Sequence, residues 1–195
     1  MSNWLAIFTD VFSTWHIARG TGLTAYVLLF LITGGGLALS LQLVPLKIRA
    51  GFLGLHRTTS IAAAIMLLLH GSILIFDRHV SFSLTDVWVP FWTAHKTLEM
   101  ATGIIAFYTI LALVFTSLRS VMKAISFENW RFTHYLAFPC YILALYHGIM
   151  LGTDSSATAI RILYQSTASI ILAMTLLRIS KSVGKRVATS ANPTR

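Results

Sequence analysis

The stretch LHRTTSIAAAIMLLLHGSILIFD, residues 55–77, is an apolar run with His56 near its start and His70 two thirds of the way along. A second stretch, WRFTHYLAFPCYILALYHGIMLGTD at 130–154, repeats the design with His134 and His147. Each can cross ~30 Å of hydrocarbon, which takes about 20 helical residues. Ionisable side chains inside such runs are uncommon and usually face a cofactor, a pathway or each other. Four of them in two segments call for one joint explanation.

Composition agrees with a membrane class: 56% hydrophobic residues, 11% charged residues and a mean hydropathy of +0.75 lie far from the balance of a soluble domain. Apolar runs at 21–41, 56–76, 98–117, 133–151 and 158–178 predict five transmembrane helices, an all-α integral membrane bundle. The residues ahead of Thr21, WLAIFTDVFSTWHIAR, are interrupted by Asp10, His16 and Arg19. They predict an interfacial helix rather than a sixth span, and they lack the basic start and cleavage site of a signal peptide. No repeat or linker divides the chain, so 1–195 reads as one domain with its core at about 15–178.

Charge orients the bundle. If five helices alternate, Lys47, Arg49, Arg57, Arg119, Lys123, Arg131, Arg178, Lys181, Lys185, Arg186 and Arg195 fall on one side, against the acid Glu128. Arg19, Arg78, Lys96 and Arg161 fall on the other, with Asp10, Asp77, Asp86, Glu99 and Asp154. The positive-inside rule places the first group in the cytoplasm, the N-terminus outside and the C-terminus inside a cell membrane. The net charge of +9 thus reflects topology, and no groove-reading or base-stacking element suggests a nucleic-acid partner.

One span separates the two histidine-bearing helices, so both run the same way, with His56 level with His134 and His70 level with His147. Intervals of 14 and 13 residues correspond to ~21 and ~20 Å of helix. Neutral imidazole is a good axial ligand for haem iron, and the two pairs read as ligands of two stacked haems, one near each membrane face. Fourteen residues at ~100° each end about 40° short of four turns, so His56 and His70 share a face. Thirteen leave His147 about 140° from His134 on a straight helix. Pro139 lies between them, and the loss of its N–H predicts a distortion around Tyr135 to Pro139 that re-aims His147.

Ala63, midway between His56 and His70, and Gly71 and Gly148, directly after the second histidine of each run, read as room for a planar cofactor or as ordinary close packing. Arg57 and Arg131 near the inner pair, and Arg19 and Lys96 near the outer pair, are candidate partners for haem propionates; interfacial snorkelling is the competing reading. His16, His79 and His95 read as exposed or hydrogen-bonded imidazoles, with a substrate-metal role for His79 or His95 as the alternative. Cys140 reads as a buried inert thiol. Trp88, Phe91 and Trp92 around Pro90 read as an interface belt or as a lid over the outer haem. Gly34, Gly35 and Gly36 read as a packing or bending site. No C-x-x-C-H motif is present, which excludes a covalently attached c-type haem.

The runs at 55–77 and 130–154, with the opening WHIARGTGLTAYVLL at 15–29, resemble the ferric reductase-like transmembrane domain shared in outline by NADPH oxidases, STEAP metalloreductases and the haem membrane subunit of the bacterial methionine sulfoxide reductase system. The resemblance implies a b-type cytochrome passing single electrons from an inner haem (His56, His134) to an outer one (His70, His147). Larger relatives have six spans and a fused flavin and nicotinamide domain. The 195 residues hold no Gly-rich dinucleotide fingerprint. The expected donor is therefore a separate cytoplasmic flavoprotein or a membrane quinol, and the expected acceptor a ferric or other metal chelate, oxygen or a partner reductase outside. A transporter or channel using the histidines as a proton or metal pathway is the alternative; Glu99 is its one intramembrane carboxylate, and no inverted repeat is visible.

Overall fold

A computed structural model describes residues 13–77 and 81–191, with side chains through Gly184. Among the described residues the chain forms eight helices and no strand: α1 Thr14–Ser40, α2 Leu46–Leu74, α3 Leu84–Trp88, α4 Thr97–Thr116, α5 Arg119–Ile125, α6 Phe127–His134, α7 Ala137–Leu151 and α8 Thr158–Ala191. Helices α1, α2, α4, the α6–α7 pair and α8 through Gly184 are the five long and apolar enough to span a membrane. The protein is a multi-pass membrane bundle.

The ends follow from local chemistry. Ser13 caps α1, its Oγ accepting the His16 N–H. Gln42 (φ 60°) stands in the left-handed position after the helix, the Gln42 N–H donates to Leu39 O and the Leu43 N–H to Ala38 O. These are the paired bonds of a Schellman ending, here without glycine. Pro45 then starts α2, where its missing N–H costs nothing. In α3, the Ser83 hydroxyl and backbone N–H both donate to Asp86 Oδ2 and hold that carboxyl below its ordinary range.

Three helices are longer than the apolar runs within them. Residues 14–20, expected to lie on the interface, continue into the first span, because Arg19 is held by Asp154 rather than breaking the helix. Residues 1–12 lie outside the described part. Helix α2 begins ten residues ahead of the expected 56, and α8 runs on past 178. Hydropathy marks where lipid is, whereas helical hydrogen bonding continues through Lys47, Arg49 and Lys181 into the polar layer.

Helix α2 packs on α1 and α4, and α7 packs on α4 and α1, with α8 outside against α1. Four helices thus form a ring in which the two histidine-bearing helices stand diagonally, with almost no backbone contact between them. The core joins Leu29, Ala63, Ala106, Ile110, Cys140 and Tyr141 from all four. Large apolar side chains such as Leu55, Ile65, Leu69, Ile142 and Leu172 are exposed around the outside, where they contact lipid.

Candidate functional site

The ring brings the histidines together across its interior as the spacing predicts. His70 and His147 have ring centroids 6.2 Å apart with the rings at 89°. His56 and His134 lie 6.4 Å apart at 56°. One pair sits toward the basic end of the bundle, marked by Lys47, Arg57 and Arg131, and the other toward the opposite end.

At the opposite end both imidazoles are anchored. His70 Nδ1–H donates to the Ala18 carbonyl and His147 Nδ1–H to the Glu99 carbonyl, each at 2.8 Å. Donation from Nδ1 fixes the tautomer and leaves the Nε2 lone pair available as a ligand. The approach needs glycine on the facing helices. A Cβ on Gly22 would stand 2.8 Å from His70 Cε1, and one on Gly103 would overlap the His147 ring. Both imidazoles line a cavity of about 470 Å³ that also meets Arg19, Trp88, His95, Lys96 and Tyr164, within the size range of cofactor sites.

At the basic end the side-chain environment differs. His56 Nδ1 and His134 Nδ1 are buried without a hydrogen-bond partner among the described residues. Trp130 stacks on His134 (4.9 Å, 29°) and is itself held by Nε1–H donation to Ser117 Oγ at 3.2 Å. Gly35 and Gly36 lie against the His56 ring, at 3.7 and 3.6 Å from a built Cβ, in keeping with the packing reading of that glycine triplet.

The expected distortion is present. The fourth span breaks between His134 and Ala137. The N–H groups of Tyr135, Leu136 and Phe138 donate to Phe132, Thr133 and Tyr135, three residues back, and regular bonding resumes at Cys140. Pro139 has no N–H for the Tyr135 carbonyl, which the Phe138 N–H takes instead. Tightened turns advance ~120° per residue rather than ~100°. Four such steps recover about 80°, cutting the mismatch between His134 and His147 to about 60°. Pro139→Ala, which restores the N–H, is expected to rewind this segment and separate His147 from His70. A spin-label distance between α2 and α7 that lengthens checks this; an unchanged distance removes proline from the account.

Between the pairs the interior is packed. Ala63 and Cys140 are fully buried, the thiol donating to Ala106 O at 3.4 Å, as expected of an inert cysteine. A hydroxyl cluster that sequence reasoning missed ties three spans together. Tyr26 OH lies 3.0 Å from Tyr141 OH and 2.6 Å from Thr167 Oγ1, with Tyr164 edge-on to Tyr26 at 4.8 Å. Scattered Tyr and Thr in apolar runs carry no periodic signal. Tyr26→Phe takes the partner from the Tyr141 hydroxyl, while Thr167 Oγ1 keeps the Leu163 carbonyl at 2.7 Å, and a loss of about 1 kcal/mol is expected as a lowered unfolding temperature in detergent.

The other singled-out residues divide. Arg57, Arg131 and Lys96 are exposed; Lys96 Nζ donates to Met150 O at 3.3 Å. Arg19 is ion-paired with Asp154, its Nε donating at 2.7 Å. His16 Nδ1 meets Ser13 Oγ at 2.6 Å, and His95 packs on Phe82; His79 lies outside the described residues. Gly71 and Gly148 line the cavity together with His70 and His147. A Cβ there would meet Trp88 at 3.0 Å and Tyr164 at 2.8 Å. Of the outer aromatics, Trp88 turns inward to line the cavity, while Phe91 and Trp92 are exposed.

This arrangement, five spans with facing histidine pairs on diagonal helices, coincides with a family match. Residues 19–145, well over half of the chain, match the model of the ferric reductase like transmembrane component, and the protein belongs to that family. The match takes in His56, His70 and His134, while His147 lies two residues past its end. Neither a curated protein nor a solved structure matches the chain.

Proposed function

We propose that the protein is a transmembrane di-haem b-type cytochrome. The observation that carries this reading is the separation of the two imidazole pairs. Two metal–nitrogen bonds of about 2 Å each, with about 1 Å from nitrogen to ring centre on either side, span about 6 Å. The separations of 6.2 and 6.4 Å fit a metal held between each pair. The glycines that admit the rings, the anchored Nδ1 atoms and the cavity beside His70 and His147 support it further. Family membership supports a haem-bearing electron-transfer component.

His56 and His134 would hold the haem at the basic end, and His70 and His147 the other. Bound haem would supply a one-electron carrier, and with a histidine pair at each site its chemistry would be electron relay. The chain's own groups hold the ligands in place through the Ala18 and Glu99 carbonyls and close the midplane to water with the Leu29, Ala63 and Cys140 core. The basic end is assigned to the cytoplasm of a cell membrane, where a separate flavoprotein or a quinol delivers electrons. The acceptor, a ferric chelate, oxygen or a partner reductase, works outside.

Proteoliposomes loaded with ferricyanide test the reading. External dithionite is expected to bleach the trapped ferricyanide with the intact protein and not with His70→Ala. Equal rates for the two, or no rate above empty vesicles, contradict it.

A further inference from the structure

Within the two-haem reading, on which the inference rests, we infer that Arg178 is the positioning cation of the basic-end site, bracing the broken span beside His134 and presenting its guanidinium to a carboxylate of the bound group. Arg57 and Arg131, the neighbours of the histidines in sequence, are exposed. Arg178 comes from α8, far along the chain, and is half-buried. Its Cζ stands 5.1 Å from the centre of the Tyr135 ring and 5.8 Å from that of Phe138. Those rings flank the Tyr135–Leu136 break, immediately after His134.

Guanidinium over aromatic faces is a favourable pairing, stronger where water is scarce. Here it joins α8 to the one segment of the fourth span that lacks regular helical bonding. Among the residues with described side chains, through Gly184, the other half-buried cation at this end is Arg49, whose Nη2 donates to the Leu39 carbonyl. Arg178 makes no hydrogen bond or ion pair among the described residues, so stacking orients its planar fork while leaving the donors for a carboxylate. A fixed positive charge beside a haem stabilises the reduced form, which carries one positive charge less.

The test is potentiometric, on protein carrying His70→Ala so that the basic-end haem titrates alone. Arg178→Gln is expected to lower its reduction equilibrium constant about tenfold, about 59 mV for one electron. Arg178→Lys, which keeps the charge, is expected to stay within about threefold of the parent, and Arg57→Gln and Arg131→Gln within about twofold. An unchanged potential in Arg178→Gln, or an equal fall in Arg57→Gln or Arg131→Gln, overturns the inference. Should Arg178→Gln fail to accumulate, Tyr135→Leu frees the guanidinium toward water, and a fall of at least about threefold is expected; no fall overturns the inference. Unaltered protein with no haem to titrate defeats the two-haem reading itself, a separate outcome.

Discussion

Replacing His147 with alanine is expected to cut the haem content from two per chain to one while leaving the bundle folded. The ring of helices is held by the core of Leu29, Ala63, Ala106, Ile110, Cys140 and Tyr141 and by the Tyr26–Tyr141–Thr167 hydroxyls, none of which needs the imidazole. The remaining pair, His56 and His134, has its own surroundings in Trp130 and the Gly35–Gly36 face. Loss should therefore be confined to one site. A pyridine haem assay on purified variant reads the stoichiometry, and loss of both haems would show that the two sites assemble as one unit. His56→Ala should give the mirror result.

The second large effect needs no change at a histidine. Gly103→Ala adds one methyl group in mid-span, where helix propensity alone would make alanine the better residue by about 1 kcal/mol. The added Cβ would overlap Nδ1 and Cε1 of His147, and the ring cannot slide aside without breaking its bond to the Glu99 carbonyl, 2.8 Å from Nδ1. Displacement is expected to leave one haem per chain and to cost about 1–3 kcal/mol in stability. Gly22→Ala, 2.8 Å from His70, should act in the same direction through the partner imidazole. Gly54→Ala, in open space, is the control and should be neutral or stabilising. Retention of two haems in Gly103→Ala would mean that His147 is free to take another position.

The spans and the histidine pairs were legible because both rest on patterns local in sequence: run length for the first, spacing along one helix for the second. The distortion at Tyr135–Leu136 was legible for a similar reason, since a straight helix leaves His147 misdirected and Pro139 supplies the only break. What the pattern could not reach was contact between helices. Gly71 and Gly148 adjoin histidines in the chain and line the cavity beside them, but the side chains packed closest on them, Trp88 and Tyr164, come from elsewhere. Gly22 and Gly103, which do admit the imidazoles, come from other spans. The same limit applies to the cations. Proximity in sequence favoured Arg57 and Arg131, whereas Arg178 reaches the break from the last helix. Nor does hydropathy see where a helix continues into the interface, which is why α1, α2 and α8 outrun their apolar cores.

The most direct measurement is the haem content of the purified protein, by a pyridine assay joined to a reduced-minus-oxidised absorption spectrum in mild detergent. The account expects two haems b per chain with low-spin, bis-histidine spectra. Folded protein that takes up no haem when haem is supplied in excess would contradict it.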